Sequence, residues 1–299
     1  MPEVIEIRKY ADFLKKKIKN KYINELNILK GRYTKKPFEM YNIKDILPLK
    51  VIDIKTKGKF LYFILENNYY FYSTLGLRGG WVYYSIEKNN YKFPILIDYI
   101  NENKLDSYKR AALNNLNIEL KIDGGILYYY DTLSFGTFKI VKDENDLIKK
   151  LKSIGPDIMD EDTKFEIFKE QIFKKKNLEK YIGNVLIDQK SISGMGNYLR
   201  ADILWVSKIS PFRKVKDLSN SELKLIYKSA KLLTWGDYDY EKGEELGYIH
   251  KNDKLPKDYK RNFFAYGSEY DINGNKIITE KLYEGSQERT IYWVPEIQK

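Results

Sequence analysis

Cysteine is absent from this 299-residue chain, and histidine occurs once, as His250. Without cysteine the protein cannot form disulfide bonds, use a thiolate as nucleophile, or hold zinc or an iron–sulfur cluster through sulfur ligands. A metal site would need oxygen ligands almost throughout, and the sequence contains no carboxylate loop of the EF-hand type. We therefore expect neither a metal nor another cofactor.

Long apolar runs are missing as well. No stretch approaches the roughly 20 consecutive apolar residues that a membrane-spanning helix needs. The first residues also lack the apolar segment and the cleavage site of a secretory signal. We expect an intracellular, soluble protein that has no membrane partner and acts as a monomer.

Positive charge exceeds negative charge. The chain has 53 Lys and Arg against 42 Asp and Glu, which gives a formal net charge of +11. Such an excess suits a polyanionic partner such as nucleic acid. Runs such as Lys15–Lys17 and Lys174–Lys176 are equally compatible with ordinary solvated faces. Composition therefore permits nucleic-acid binding without demonstrating it.

The apolar pattern of the first half changes once. Apolar residues recur at helical spacing from Ile7 to Ile18, which predicts an amphipathic helix over residues 4–18. From about residue 22 to residue 141, short runs rich in Ile, Tyr, Phe and Val alternate with turn signals. That pattern is typical of a β-sandwich or barrel.

Helical periodicity returns after Gly155-Pro156-Asp157 and predicts four helices, near residues 163–176, 178–189, 196–208 and 219–234. Ser219 and Glu222 form a capping box at the start of the last one. Farther along, residues 276–283 and 290–294 have the pattern of two strands. We expect a terminal β-hairpin with Arg289 near its tip.

The second residue of the chain is a candidate nucleophile. A methionine that precedes a small residue is normally removed, which would leave Pro2 with a free secondary amine. An α-amino group has a pKa of about 8, against about 10.4 for lysine, so more of it is unprotonated at neutral pH. Glu3 beside it can serve as general acid and base. The bland alternative is that proline and glutamate are ordinary choices at a helix start.

A longer motif points to a family. The segment Leu186–Leu204 contains Ser-Gly-Met-Gly-Asn and resembles the helix-two-turns-helix signature of the formamidopyrimidine-DNA glycosylase and endonuclease VIII family. Gly194 and Gly196 let the backbone turn tightly near a phosphate, and Asn197 offers donors at the start of a helix. The resemblance implies that Asn197 grips the DNA backbone at a lesion. An ordinary helix–helix turn is the alternative.

Three further segments of the first half resemble the same family. Gly58-Lys59 is similar to its Gly-Lys pair, which implies that Lys59 binds phosphates and supports catalysis; without that context it is a surface lysine. In Thr74–Gly79 the resemblance assigns Leu77 as the residue that fills the space of an extruded base, although it could be a core leucine. In Asp131–Gly136 it assigns Phe135 to probing the neighbouring bases. Leu133 stands where the family has an arginine, so reading of the opposite base is expected to be altered.

The end and the beginning of the chain carry the remaining likeness. Most family members hold zinc at this hairpin with four cysteines. Because this chain has no cysteine, its hairpin resembles the zincless finger of the endonuclease VIII-like enzymes. Arg289-Thr-Ile then implies that Arg289 contacts phosphates beside the flipped nucleotide, although an exposed turn arginine is possible. At the start of the chain Val4 and Ile5 replace the family's usual Gly-Pro. Glu6 matches the glutamate that follows this pair in the family, and the resemblance implies that it takes part in DNA binding.

The resemblance implies an α+β fold. Residues 1–150 would form a catalytic β-sandwich domain with its leading helix, and residues 151–299 a helix-two-turns-helix domain ending in a zincless-finger hairpin at about 262–299. The implied activity is a bifunctional DNA glycosylase and abasic-site lyase, with oxidised pyrimidines favoured. The implied partner is double-stranded DNA with oxidised or abasic lesions, and bubble or single-stranded DNA is a further candidate.

Three alternatives remain open from the sequence. The enzyme could prefer oxidised purines, and a base-capping loop between about Asp237 and Lys260 could decide this. The chain could instead be a catalytically silent protein that binds damaged DNA, because its first turn is altered. A general basic nucleic-acid binder would explain the charge but leave the ordered motifs unexplained.

Overall fold

The computed structural model describes residues 2–37, 45–94, 102–251, 253, 264–284 and 287–299. The chain divides into two compact units. The first contains Pro2 and Glu6–Lys152, and the second contains Glu3–Ile5 and Ser153–Lys299. Glu3–Ile5 thus pack with the second half of the chain, although they lie at its beginning.

The first unit is built mainly from antiparallel strands. The elements in chain order are α1 (Val4–Ile18), β1 (Tyr22–Ile28), α2 (Arg32–Lys35), β2 (Leu49–Lys57), β3 (Phe60–Leu65), β4 (Tyr69–Thr74), β5 (Gly79–Ser85), β6 (Asn90–Lys92), α3 (Glu102–Leu113), β7 (Leu116–Ile122), β8 (Gly125–Asp131), β9 (Thr137–Lys142) and α4 (Glu144–Lys152). The described sheet has nine strands in the order β6-β5-β8-β7-β1-β2-β3-β4-β9.

The nine strands fold back on themselves as a sandwich. The Trp81 ring of β5 lies 5.2 Å from the Phe63 ring of β3 and 5.9 Å from the Phe138 ring of β9, although these strands are far apart in the sheet order. The sheet therefore encloses an aromatic core between its two halves. Leu14 and Ile18 of α1 are buried in the same core. The predicted opening helix and β-sandwich are confirmed.

One helix of the first unit differs from the prediction. The sequence between residues 22 and 141 predicts strands and turns, but α3 interrupts them. Among its described side chains Ala112 is buried at 1% exposure, and the helix is otherwise rich in charged and polar residues. A sequence so rich in charged and polar residues offers few of the apolar positions from which helical periodicity is read.

The second unit is mainly helical. Its elements are α5 (Phe165–Ile172), α6 (Ile182–Val185), α7 (Asn197–Ser207), α8 (Asn220–Tyr238), α9 (Tyr240–Glu245), β10 (Ile278–Glu284) and β11 (Gln287–Trp293). The capping box of Ser219 and Glu222 is present at the start of α8. The helix predicted over 178–189 is much shorter, because the N–H groups of Ile182 and Gly183 donate to the carbonyls of Arg213 and Pro211 rather than to a preceding turn.

The segment considered for a base-capping loop is partly helical. The last predicted helix, over residues 219–234, continues to Tyr238 and is followed by α9 within the first part of this segment. Residues 252 and 254–260 lie outside the described residues. None of the helices described in either unit is long and apolar enough to cross a membrane.

The predicted terminal hairpin is confirmed, and packing holds it in place. Leu282 of β10 pairs with Arg289 of β11. Beneath the hairpin Ala265, Ile277 and Val294 form a buried cluster against which Trp205 packs. These contacts use apolar side chains where a metal finger uses sulfur ligands.

Asp271 fixes the turn that precedes the hairpin. Its Oδ2 accepts hydrogen bonds from Trp205 Nε1 and Asn275 Nδ2, both at 3.0 Å. Its Oδ1 accepts from the backbone N–H groups of Asn273 at 2.9 Å and Asn275 at 2.8 Å. Burial opposes ionisation, but hydrogen bonds from Asn275, Trp205 and Asn273 outweigh it and hold the pKa of Asp271 below its ordinary value.

We predict that Asp271→Ala lowers the free energy of unfolding at pH 7 by about 1–3 kcal/mol, because buried donors lose their acceptor. A carboxylate with a lowered folded pKa stabilises above its unfolded pKa of about 4, and this stabilisation is lost as the pH falls through the folded value. The deficit of the variant should therefore shrink in acid. Urea unfolding of the variant and the wild type at pH 7 and at a pH below the folded pKa of Asp271 measures this difference.

The control for this prediction is Glu179→Ala, since Glu179 makes exposed ion pairs with Lys214 and Lys216 at 3.1 and 2.8 Å and contributes less to stability. A chelator should leave the melting temperature of the wild-type protein unchanged. A loss in Glu179→Ala equal to that in Asp271→Ala would show that Asp271 has no special role in the fold.

Candidate active site and nucleic-acid interface

Two of the predicted catalytic residues line one pocket of the first unit. The pocket has a volume of about 200 Å³ and is lined by Pro2, Ile7, Lys59, Thr74, Leu75 and Gly76. The strand order brings these residues together, because β3 and β4 are neighbours in the sheet. Pro2 precedes α1, whose residue Ile7 forms part of the pocket wall. The structure therefore places Pro2 and Lys59 on the wall of the same pocket.

A tight turn positions Lys59. Lys57 of β2 pairs with Phe60 of β3, which leaves Gly58 and Lys59 as the two residues of the connection. Gly58 has a φ of +54°, a left-handed conformation that favours glycine. The neighbouring amine of Lys57 donates to the carbonyl of Leu151 at 2.9 Å. Two lysines only two residues apart thus have different surroundings.

Glu3 is a buried acceptor in the second unit. Its side chain is 0% exposed, and its carboxylate accepts hydrogen bonds from the backbone N–H groups of Gly196 and of Tyr198, the latter at 3.1 Å. Both donors lie at the N-terminus of α7, where the helix dipole favours a negative charge. Because Pro2 directly precedes Glu3, these bonds fix the chain immediately after the candidate nucleophile.

The altered first turn is accommodated next to Gly194. Val4 and Ile5, which replace the family's usual Gly-Pro, are both fully buried in the core of the second unit. The Val4 N–H donates to the carbonyl of Gly194 at 3.0 Å. Gly194 has a φ of +107°, and a Cβ there would lie 2.8 Å from Cβ of Val4. Gly194 is needed for this close approach as well as for its turn.

Arg200 connects Asn197 with the terminal hairpin, a role that the sequence analysis missed. Its guanidinium is fully buried and donates to the Asn197 Oδ1 at 3.2 Å, the Thr290 carbonyl at 2.7 Å and the Gly183 carbonyl at 3.2 Å. Burial lowers the pKa of Arg200 to about 10, against the opposing effect of Glu3, so the group stays charged at neutral pH. The signal in the sequence was an arginine between the apolar residues Leu199 and Ala201 of a predicted helix.

The geometry places two predicted phosphate contacts near each other. Arg200 binds the Asn197 side chain and the backbone of Thr290, the residue after Arg289. Arg289 is exposed on β11. Asn197 is half-buried at the first position of α7. An exposed guanidinium and a side-chain amide linked in this way can both contact a phosphate backbone.

Two loops of the first unit present apolar side chains to solvent. Leu77, Leu133 and Phe135 are 41%, 43% and 62% exposed. The loops touch, since a Cβ on Gly76 would lie 2.5 Å from the Gly136 nitrogen. We call Leu77, Leu133 and Phe135 the apolar tip. The alternative interpretation of Leu77 as a core residue does not match its exposure.

Hydrogen bonds from Asp131 and Arg32 hold the shape of the second loop. The Asp131 carboxylate accepts from the backbone N–H groups of Leu133, Ser134 and Gly136 at 3.2, 3.0 and 2.7 Å. The Arg32 guanidinium donates to the carbonyls of Ser134, at 2.9 Å, and Gly136. Arg32 lies far from the loop in sequence, so sequence reasoning could not identify it.

One residue predicted to take part in DNA binding is buried in this structure. Glu6 is 1% exposed on α1, much as Glu3 is 0% exposed, and its part in DNA binding stays a prediction. Among the residues that the structure describes, no group of three or more His, Cys, Asp and Glu side chains could hold a metal ion.

We predict that Arg200→Met costs about 3–5 kcal/mol of stability, because it leaves buried acceptors and the Glu3 charge without their cation. Amide hydrogen exchange should rise in β11, whose Thr290 carbonyl Arg200 binds. Thermal unfolding and exchange mass spectrometry measure the two effects. Unchanged exchange in β11 would refute the role of Arg200 in positioning the hairpin.

Arg213→Met is the matched control for this prediction. Arg213 forms a partly exposed ion pair with Glu222 at 3.1 Å, and its loss should cost about 1 kcal/mol or less. Exchange in β11 should not change.

Three family models match successive parts of the chain. The N-terminal domain of formamidopyrimidine-DNA glycosylase matches residues 1–138, the H2TH domain of that glycosylase matches residues 154–234, and its C-terminal domain matches residues 252–299. Together they span nearly the whole sequence.

Proteins that are similar in sequence are named formamidopyrimidine-DNA glycosylase, like the three family models. The formamidopyrimidine-DNA glycosylase of Mycoplasma mobile is 30% identical over 232 residues, which cover 77% of this chain and 75% of the relative. The protein of that name from Mycoplasma genitalium is 26% identical over 302 residues, covering 94% and 98%.

Solved structures share the fold. MutM in complex with DNA containing carbocyclic 8-oxo-G has a TM-score of 0.73 at 21% identity, with both chains covered fully. Wild-type Lactococcus lactis Fpg in complex with DNA containing an oxidised pyrimidine has a TM-score of 0.71 at 22% identity, again over the full length of both chains.

Proposed function

Because the chain belongs to the formamidopyrimidine-DNA glycosylase family, we propose that it removes oxidised bases from DNA and then cleaves the strand at the abasic site. The nucleophile is the amine of Pro2 after removal of Met1. The observation that carries this proposal is the pocket in which Pro2 lies beside the cation of Lys59. The combined likeness of the three family models supports a DNA-repair role for the whole chain.

The reaction starts with attack of the amine nitrogen on the anomeric carbon of the damaged nucleotide. The new C–N bond forms as the bond to the damaged base breaks, and the departing base takes a proton. Opening of the sugar ring gives a Schiff base between Pro2 and the sugar. Loss of a proton from the adjacent carbon then expels the 3′ phosphate by β-elimination, and a second elimination can remove the 5′ phosphate.

Lys59 and Glu3 have complementary parts in this scheme. The Lys59 ammonium lies in the same pocket as Pro2 and offsets the negative charge of a phosphate held there. Glu3 moves protons during ring opening and elimination. Its carboxylate oxygens already accept bonds from Gly196 and Tyr198, so it is held in one orientation for proton transfer.

The substrate is double-stranded DNA, and a bubble or single strand is a further candidate. The anomeric carbon is inaccessible in a stacked duplex, so the damaged nucleotide must be extruded. Asn197 and Arg289 would grip the backbone beside it. Leu77 and Phe135, exposed at the apolar tip, would wedge into the space left in the stack.

Two classes of lesion are candidates. The missing cysteines, through the likeness to zincless fingers, favour oxidised pyrimidines. The relatives from Mycoplasma mobile and Mycoplasma genitalium are named for formamidopyrimidine, a ring-opened purine, which favours oxidised purines. Strand cleavage on duplexes with each lesion separates the two, and the chemical ends of the product separate β- from β,δ-elimination.

We predict that borohydride traps a covalent adduct between the protein and abasic-site DNA, and that peptide mapping places it on an N-terminal peptide beginning at Pro2. Lys59→Met should lower strand cleavage by about 100-fold, because a preorganised charge is lost. Lys57→Met is the matched control and should cleave normally, since its amine donates to Leu151 instead.

Intact mass spectrometry must first show that Met1 is absent, because a retained methionine leaves the Pro2 nitrogen in an amide. If processed protein shifts abasic DNA in a gel but gives no adduct, it is a silent binder of damaged DNA. Equal affinity for damaged and undamaged duplexes would instead indicate a general nucleic-acid binder.

We predict that cleavage depends little on the base opposite the lesion, with rates within about fivefold of one another. The three side chains of the apolar tip offer no hydrogen bonds to a base edge, whereas one bidentate contact is worth about 1–3 kcal/mol of discrimination. Leu133→Arg should introduce a preference. Leu225→Arg, at another half-exposed leucine on α8, is the control. Strong discrimination by the wild type would contradict this reading of the tip.

A further inference from the structure

A group of lysines from two parts of the first unit forms a second basic surface. Lys16 and Lys17 lie in the last turn of α1, Lys21 follows it, and Lys88 and Lys92 belong to the β5–β6 hairpin. We call these five residues the lysine patch. Partial burial, followed by the charges of Lys16, Lys92, Lys88 and Lys21, lowers the pKa of Lys17, so these four cations lie close enough to repel the Lys17 ammonium.

Two neighbouring lysines, Lys15 in α1 and Lys19 just after it, share an ion-pair partner, whereas the lysine patch has none among the described residues. Lys15 and Lys19 make ion pairs with Asp53 at 3.8 and 3.6 Å. Across the part of the chain that the structure describes, no ion pair involves a residue of the lysine patch. The C-terminal dipole of α1 favours cations in its last turn, but it does not account for Lys88 and Lys92 on another element.

Two carboxylates, those of Asp123 and Glu87, interact electrostatically with Lys21 and with Tyr83, and neither forms an ion pair with the lysine patch among the described residues. Asp123 interacts electrostatically with Lys21, but its oxygens accept hydrogen bonds from Asn24 Nδ2 at 2.9 Å and the Tyr22 N–H at 3.1 Å. Glu87 acts on the Tyr83 hydroxyl through its charge. Like charges gathered without counter-charges cost free energy, which an anionic partner would recover.

Aromatic rings fix two of the ammonium groups. The Lys17 amine lies 5.6 Å from the centre of the Tyr83 ring and 5.9 Å from that of Phe13. The Lys21 amine lies 6.0 Å from the Tyr83 ring. Cation–π contacts of this kind reduce the side-chain freedom that a binding partner would otherwise have to remove. Tyr91 is 42% exposed on the same hairpin and adds an aromatic surface at its edge.

We propose that the lysine patch is a second binding site for duplex DNA, which contacts the sugar–phosphate backbone of undamaged DNA without reading its sequence. Along α1, with a rise of 1.5 Å per residue, the patch lies about 20 Å from the end that begins beside Pro2. The site is therefore separate from the pocket. Its function is to hold the protein on DNA regardless of damage, through contacts that release counterions.

The test compares two double variants that remove the same charge from the same helix end. Lys17→Gln with Lys21→Gln removes two residues of the patch, and Lys15→Gln with Lys19→Gln removes the two lysines paired with Asp53. Fluorescence anisotropy measures binding to an undamaged duplex of about 30 base pairs over a series of salt concentrations. Lys88→Gln with Lys92→Gln repeats the test from the hairpin.

Each patch variant should reduce the slope of log affinity against log salt by about 1.8, because each phosphate contact contributes about 0.9. Affinity at about 0.1 M salt should fall by about tenfold or more. The Lys15 and Lys19 variant should bind like the wild type. Equal slopes in all proteins, or equal losses in patch and control variants, would overturn the proposal. Normal duplex binding together with lost binding to phosphatidylserine vesicles would overturn it in favour of a membrane surface.

A short lesion duplex separates this proposal from the proposed catalytic function. An abasic site at the centre of about 11 base pairs leaves about five steps, or about 17 Å of helix, on each side at 3.4 Å per step. Borohydride trapping on that duplex should be the same in the patch variants and the wild type. Loss of trapping in the wild type would refute the catalytic proposal and leave the binding test unaffected.

Discussion

The candidate site depends on the hydrogen bonds between the buried carboxylate of Glu3 and the N-terminus of α7. The carboxylate accepts hydrogen bonds from Gly196 and Tyr198, where α7 begins with a cluster of N–H groups that have no partner within the helix. An uncompensated charge at 0% exposure would be expensive, so the helix terminus and the nearby Arg200 cation must remain in place. The need to compensate the charge of Glu3 therefore holds the residues after Pro2 in place. Arg200, which takes part in this compensation, also binds the side chain of Asn197.

Arg200 extends the same network to the end of the chain. Its guanidinium binds the side chain of Asn197 and the carbonyl of Thr290, so the turn before α7 and the hairpin strand β11 share one buried cation. The hairpin is further held by Asp271 and by the cluster around Val294. The terminal hairpin is therefore held by ordinary hydrogen bonds and apolar packing, which use residues from distant parts of the sequence.

Features set by local sequence could be predicted, and features set by distant contacts could not. The α1 helix, the capping box of α8 and the terminal hairpin follow from periodicity and turn chemistry within short windows. Arg32 and Arg200 escaped notice because their partners lie about a hundred residues away. The resemblance supplied Pro2 and Lys59 as site residues, but only the sheet order explains why they line one pocket. The buried position of Glu6 also required the packed helix.

The apolar tip has a further consequence for how the protein meets DNA. Phe135 is 62% exposed, and Asp131 and Arg32 already hold the backbone on which it is mounted. The loop therefore loses its conformational entropy when the protein folds, and binding of DNA does not have to order it again. If Phe135 enters the base stack as proposed, its ring gains apolar burial once a base step opens, and a weakened stack then presents a lower barrier to insertion than an intact one. In that case the preordered apolar tip responds to loose stacking before any base is removed.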